Sequence, residues 1–598
     1  MLQSKTPYLA AVQTADTETP PRAPGHWSDD ALLAARHRAD PVVDQLVQEV
    51  LGASGDNTAV GRRAYNHLLD IADKLLEAPE LALVPSSMVA QHLRHYPSAL
   101  VDYFDPMEAP AWVDAAKLHH ASQLWNENML AIIGVLYAAS LPACYLIRHG
   151  IPALYQSSKL KEYRYIYQRI YETGRFLEDV MSPGGLELIT DLETSDGSFE
   201  HLCTTLNRLD SDGGWRRVGP SLVRTQATAH PLGAQQIMAL ACRLRPTPKR
   251  YLWGSGYMAT KKVRFLHAAM RFMLTQPPGA VSDGPGEEGP TTVAASLGQP
   301  VRAWDEAAWG KPVNQEDLAY TLLTFAYLIP HGLEKWGCKW TLEEKEAFLH
   351  LWKTVGYTLG VDSNLLTDTW GEAEQLFSRL RHQQAGPSDE GKRLTDTLMH
   401  FLQDYLPPGL AKHVPPLLIQ SQLGAHYATM LFTPEHLGAT QSPLARVSFG
   451  IFLGLIRLYY LLRHVVFRRS ATLAAFMGSV FAQAGAALID SWRDVYARRP
   501  FYVPENASTW RRVQGVREDF MGHLRAWRTR LFATVAAGMG FLVGSSCSLV
   551  VAIALWFFGC GSGAKIAGWL TLGGVLTALG IFEMCVPRVS RQRPKLPE

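Results

Sequence analysis

Residues 261–274, "KKVRFLHAAMRFML", set the reading of the whole chain, because their apolar positions recur with a helical period. With each residue turning the helix by about 100°, Val263, Leu266, Met270 and Leu274 form one stripe, Arg264 and Arg271 fall nearly in line beside it, and His267 lies between the two sets. Two readings of His267 are open at this point. Its imidazole can reach the iron of a haem whose macrocycle packs on the stripe and whose propionate meets an arginine. Alternatively it is a core histidine bonded to a backbone carbonyl, with the arginines solvated. A single histidine on an amphipathic helix favours the second.

The same period runs through most of the chain, and alternating apolar and polar runs are few, so the fold class is all-α. Helices are expected at 31–52, 60–77, 112–137, 159–181, 233–244, 259–275, 315–336, 343–359, 368–382, 391–405, 445–468 and 472–497. Residues 1–30 read as a disordered tail ahead of a helical domain spanning 31–530. Within that domain, 276–300 is rich in proline, glycine and acids and reads as a mobile linker, and 191–258 is less regular.

Composition narrows the function. With 57 Lys+Arg against 55 Asp+Glu the net charge is +2, so no basic field points to nucleic acid as a partner. The seven cysteines include no C-x-x-C pair, which argues against a zinc knuckle or covalently attached haem and for a reducing compartment. The first 30 residues lack the apolar core and cleavage site of a secretory signal.

The C-terminus is different in kind. Residues 532–558 carry no charge and are long enough to cross roughly 30 Å of hydrocarbon as a helix. Residues 566–586 follow after a short glycine-rich turn and carry only Glu583. The two read as a transmembrane hairpin over 531–588, followed by a basic tail at 589–598. Both flanks of the pair are rich in arginine and lysine, which predicts a multi-pass membrane protein whose large helical domain is cytoplasmic. Residues 449–466 are nearly as apolar, but Arg457 and Arg463 argue for a core or interfacial helix instead of a third span.

A second polar set lies in 163–180, "YRYIYQRIYETGRFLEDV", where Tyr165, Arg169, Glu172 and Phe176 share a helix face and Thr173 sits beside them. By spacing alone this is a surface ladder of ion pairs as readily as a reaction site. In "PVNQEDLAYTLLTF" (312–325), Asn314 is placed to cap a helix starting near Gln315, with Glu316 and Asp317 in its favourable first turn, a structural role.

Four stretches occur in a telling order: "RIYETGRF" (169–176), "KVRFLHAAMR" (262–271), "GKPVNQEDLAYTLLTF" (310–325) and "LWKTVGYTLGV" (351–361). Together they resemble the family of latex clearing proteins (rubber oxygenases) and of the fungal oxygenases that cleave the prenyl side chain in the mycophenolic acid pathway, over roughly residues 110–510. The resemblance implies an all-helical, globin-like domain holding a b-type haem non-covalently. His267 matches the family's axial ligand, and Arg169 and Thr173 match its distal arginine and threonine. Arg264 and Arg271 are the candidates for the propionates. The implied chemistry is cleavage of an isoprenoid carbon–carbon double bond with O₂, in an apolar tunnel with walls such as Ile166, Ile170, Phe176, Leu266 and Met270.

Two departures stand out. Where latex clearing proteins place a lysine before the distal threonine, this chain has Glu172. The stretch corresponding to the family's preceding carboxylate, 149–160, contains no acid, so Glu172 is the candidate substitute for acid–base work. The membrane hairpin lies outside the resemblance and predicts a membrane-dissolved isoprenoid, prenylated metabolite or lipid as substrate in place of polymeric rubber. The alternative function is a non-catalytic, membrane-tethered protein that binds or senses haem or O₂.

Overall fold

A computed structural model describes residues 27–51, 103, 107–157, 163–190, 250–275, 304–403, 413–466, 485, 489 and 518–592. The helices expected at 60–77, 233–244 and 472–497, the linker 276–300, and most of the tail 1–30 and of the stretch 191–258 lie outside the described residues.

The described chain is overwhelmingly helical, as its period dictates. The first expected helix is two: α1 (Asp29–Arg36) and α2 (Pro41–Leu51). The break falls ahead of Pro41, whose ring disfavours a helical residue before it while its own fixed φ suits a first helical position. Helix α3 (Ala115–Val135) is capped by the Asp114 carboxylate and continues through a π-turn at 136–140 to Tyr145. Then come α4 (Tyr163–Met181), α5 (Ser255–Thr275), α6 (Gln315–Ala326), α7 (Leu342–Leu359), α8 (Trp370–Gln384) and α9 (Asp389–Gln403). Shorter helices at 414–423, 425–431 and 434–441, not foreseen in the sequence, lead to α10 (Pro443–Val466). Finally, α11 (Glu518–Phe557) and α12 (Gly561–Gly580) pack side by side as a hairpin.

One small sheet interrupts the all-helical plan. Strands β1 (Met107–Glu108), β2 (Glu187–Thr190) and β3 (Arg250–Trp253) pair antiparallel in the order β1-β3-β2. Its position matters more than its size, since β2 follows α4 and β3 leads into α5. The backbones cross at glycines there: a Cβ on Gly254, which has φ +125°, would collide with the carbonyls of Gly184 and Gly185. Gly185 O also accepts the first amides of α5, from Gly256 at 2.7 Å and Tyr257 at 3.1 Å. The end of α4 and the start of α5 are thereby tied to each other.

The core lies between α3, α5, α6, α7 and α8. Trp125, Trp352, Phe265, Tyr320, Phe348 and Phe377 are among its fully buried side chains. Tyr320 stacks on Phe377 with centroids 5.3 Å apart, and Phe325 on Trp352 at 4.9 Å.

Three helices among the described residues are long and apolar enough to cross a membrane: 115–145, 443–461 and 561–585. The first is mostly buried inside the domain, while few residues of the other two are buried. In α11 the described apolar stretch is 547–557.

Candidate functional site

Helix α5 turns Phe265, Ala268 and Ala269 into the core, each 0–1% exposed. Val263, Leu266, Met270 and Leu274, the stripe read from the sequence, lie on the other side and are half-buried, as is His267 beside them. Only Leu266 of that stripe packs against the core.

The two arginines are not solvated. Arg264 makes a bidentate ion pair with Asp40, Nε to Oδ2 at 2.6 Å and Nη2 to Oδ1 at 3.0 Å, and donates Nη1 to Thr358 O. Arg271 pairs through Nε with Asp44 at 2.7 Å and donates Nη1 to Val313 O at 2.9 Å. Val313 has φ +49°, unfavourable for a β-branched residue, and its carbonyl is held by this bond. The second terminal nitrogen of Arg271, Nη2, is buried with no hydrogen-bond partner.

These pairs fasten α2 across α5. Burial pushes the Asp40 carboxyl up, but the Arg264 guanidinium outweighs it and holds Asp40 below its ordinary value. For Asp44, burial and the nearby Asp40 charge outweigh Arg271, and the net shift is upward. The partners were missed in the sequence, where the only signal is two aspartates one helical turn apart, at 40 and 44, some 220 residues from the arginines they meet.

Helix α4 packs directly on α5. Its Ile170, Tyr171, Leu177, Val180 and Met181 are buried, and Glu172, Thr173 and Phe176 share a half-buried face, as their spacing predicts. The Phe176 ring lies 6.4 Å from that of Trp352 on α7, whose indole Nε1 is buried without a partner. Arg169 lies on α4 one turn before Thr173, and Ile166 earlier still; their side chains are outside the described set. Arg175, further along α4, pairs with Glu178 at 2.9 Å and Asp179 at 3.2 Å.

The Asn314 motif takes the structural role expected of it. Asn314 Oδ1 accepts the Asp317 amide at 2.9 Å at the start of α6. Its acids are nevertheless buried. Glu316 forms a bidentate pair with Arg36, at 2.6 and 3.1 Å, tying α1 to α6. Asp317 receives only a 3.3 Å bond from Gln384 Nε2 besides its amide bond to the cap, and burial together with the Glu316 charge pushes its pKa up to about 7.

The set so assembled is one imidazole on an apolar edge, a hydroxyl and a carboxylate on the helix packed against it, and one spare buried guanidinium N–H. Such a donor set suits a large apolar cofactor with an axial nitrogen ligand and an anionic rim. No group of three or more His, Cys, Asp or Glu placed to hold a metal ion by themselves occurs among the described residues.

In comparison with known proteins, residues 236–458 match the family model described as ER-bound oxygenase mpaB/B'/Rubber oxygenase, catalytic domain. This segment holds α5 through most of α10 and three of the four ordered motifs; the α4 motif precedes it. The family recognised from those motifs is borne out. Among individual relatives, the chain is 24% identical over 180 residues to the rubber oxygenase of Streptomyces sp. (strain K30), a stretch that is 30% of this chain and 38% of that protein. A solved structure of latex clearing protein in the closed state aligns over 74% of this chain and 88% of that one, at 17% identity and a TM-score of 0.41.

Proposed function

We propose that this chain is a membrane-anchored, b-type haem-dependent oxygenase that opens a carbon–carbon double bond of an isoprenoid, prenylated or lipid substrate with O₂. The observation that carries the proposal is the placement of His267 on a half-buried apolar edge of α5, within the segment that matches the oxygenase family.

Bound through neutral His267, haem supplies the redox chemistry that activates O₂. The protein's own residues do the rest. Arg271 has a buried N–H left over for a propionate carboxylate, whereas each nitrogen of Arg264 already donates to Asp40 or Thr358. Of the two arginines, Arg271 is therefore the better suited to a propionate. Thr173 on α4 would offer a hydroxyl donor to a bound oxygen atom, and Arg169, one turn earlier in the sequence, is the second donor that the family resemblance implies. Glu172, beside Thr173, is available to accept or return a proton in place of the lysine common in latex clearing proteins. An isoprenoid offers no charge to grip, so Ile170, Phe176, Leu266 and Met270 would orient it by shape and exclude water.

The anchor is the α11–α12 hairpin, spanning 531–588 beyond the 31–530 domain. Its outward residues are apolar, with Trp569 72% and Leu570 62% exposed, and Trp556, Phe557 and Phe558 cluster at its turn, where aromatic rings suit a membrane interface. The basic flanks support a cytoplasmic domain. A tether of this kind raises the effective concentration of a membrane-dissolved substrate at the site.

The test is the absorption spectrum of the full chain, oxidised and dithionite-reduced, beside His267→Ala. A Soret band that shifts on reduction in the parent and is lost in the variant is the expected result, to be followed by oxygen uptake with prenyl substrates. A parent that remains colourless after haem reconstitution overturns the proposal. Glu172→Gln with full activity would remove Glu172 from acid–base work while leaving the haem reading intact.

A further inference from the structure

Helix α10 is apolar on both sides, yet only one side belongs to the domain. Ala445 and Tyr460 are buried, and Leu453 and Ile456 pack against the core. On the opposite side Leu444, Val447, Ile451 and Leu461 are 71%, 60%, 61% and 59% exposed. These four fall within one sector of the helix, at spacings of three, four and ten residues. The helix carries no acidic residue at all.

The arginines that argued against a membrane helix are both turned to the protein. Arg457 donates to Lys335 O through Nε at 3.3 Å and Nη2 at 3.0 Å. Arg463 reaches α3, where Nη2 meets the Glu127 carboxylate at 2.9 Å and Nη1 meets Asn128 Oδ1 at 2.7 Å. Neither charge therefore has to enter hydrocarbon for the outer face to do so. These bonds also fix the geometry: if α10 crossed a bilayer, the parts of α3 and of the 328–335 helix bonded to it would be dragged in with their charges.

We infer that α10 lies flat on the bilayer, its outer face of Leu444, Val447, Ile451 and Leu461 dipped into the acyl-chain boundary, so that the domain is seated on the membrane and not merely tethered to it. The occupant of this face is lipid because α10 touches α11, the first arm of the hairpin that the proposed function puts in the bilayer. The sequence then runs into "FRRS" (467–470), whose two arginines suit headgroup phosphates. This inference rests on the membrane-anchored reading above and adds a second, independent contact to it.

The test uses the full chain in phosphatidylcholine vesicles whose acyl chains carry nitroxide quenchers. An environment-sensitive fluorescent amino acid, introduced by amber suppression so that the native cysteines remain, replaces in turn Ile451 on α10, Leu570 on α12 and Leu33 on α1. The expected result is quenching at position 451 of at least about half that at 570, with little at 33, in keeping with a helix dipped by about 5–10 Å. Quenching at 570 but not at 451 overturns the seating of α10 and leaves the hairpin anchor standing. No quenching at either overturns both. Equal quenching at 451 and 33 indicates non-specific adsorption and overturns the inference. A second measurement places the reporter at Val447 and adds Ile451→Glu, which should release the quenching there by about threefold without altering that at 570.

Discussion

Helices 115–145 and 561–585 satisfy the same criteria of length and apolar content, yet the first is the buried spine of the domain and the second has hardly any surface covered. Their polar residues account for the difference. In the spine, Ser140 Oγ donates to Thr324 O on α6 at 2.6 Å, and Asn128 Oδ1 accepts from Arg463 on α10 at 2.7 Å. These groups are satisfied by the protein around them. In α12, Thr571 and Thr577 bond back to the carbonyls of Ala567 and Gly573 in their own helix, at 2.9 and 2.8 Å. A helix that satisfies its own hydroxyls needs no polar neighbour and can sit in lipid. One of its glycines serves the packing on α11: a Cβ on Gly574 would strike Ser545 Oγ. Apolar content is common to both helices, and the reach of their polar groups separates the one packed within the domain from the one that the proposed function puts in a bilayer.

A charge placed in each helix gives the largest contrast. Ile132 is fully buried in α3, so Ile132→Asp should cost more than about 4 kcal/mol and abolish the cooperative melt of the helical domain, followed by circular dichroism. Leu570→Asp should leave that melt in place and instead weaken retention in vesicles. If Leu570→Asp unfolded the domain, the hairpin would be part of the core and the contrast between the two helices would collapse.

A smaller effect separates the two clasps on α5. Asp40 is 4% exposed and takes both arms of its arginine, while the Asp44 side chain is 31% exposed and takes one. Asp40→Ala removes the bidentate carboxylate partner of buried Arg264 and should cost about 3 kcal/mol, against about 1 kcal/mol for Asp44→Ala. Denaturant titration of both variants checks the ranking. If the helix bearing His267 is positioned by this clasp, the Asp40 variant should also lose more of the Soret absorbance than the Asp44 variant at equal folded fraction.

Local features of the chain were legible and distant ones were not. The period of 261–274 fixed a helix, and the face containing Glu172, Thr173 and Phe176 appeared as its spacing required. The Asn314 cap was read correctly because a cap is written within four residues. The small sheet escaped notice because β1 and β2 are short and both pair with β3, whose partners lie far away in the chain. The fates of Arg264 and Arg271 escaped for the same reason: an amphipathic pattern shows that a cation lies at the edge of an apolar face, but not that a carboxylate from an N-terminal helix will meet it there. In α10 the sequence shows two arginines within an apolar run, and only the fold reveals that they bond to the protein and leave an apolar face outside.

The finest test of how this interior treats charge is Asp317. Unlike Glu316, which has the Arg36 guanidinium, it is buried with no cation bonded to it, and an amide is its side-chain neighbour. With its pKa pushed up to about 7, the folded chain retains a proton that the unfolded chain has released between about pH 4 and pH 7. More protons bound in the folded state means that stability falls as pH rises through that window and levels off above it. Gln384 Oε1, buried with no donor of its own, is an acceptor that a protonated carboxyl can serve. Asp317→Asn keeps the shape and the Gln384 contact while removing the titration. It should therefore melt close to the parent at about pH 4 and above it at about pH 8, by up to about 4 kcal/mol. Glu316, which burial also shifts upward, is present in both proteins, so the difference between their melts isolates Asp317. Parallel pH profiles would mean that Asp317 is ionised throughout, and that this interior tolerates a carboxylate with amide partners alone.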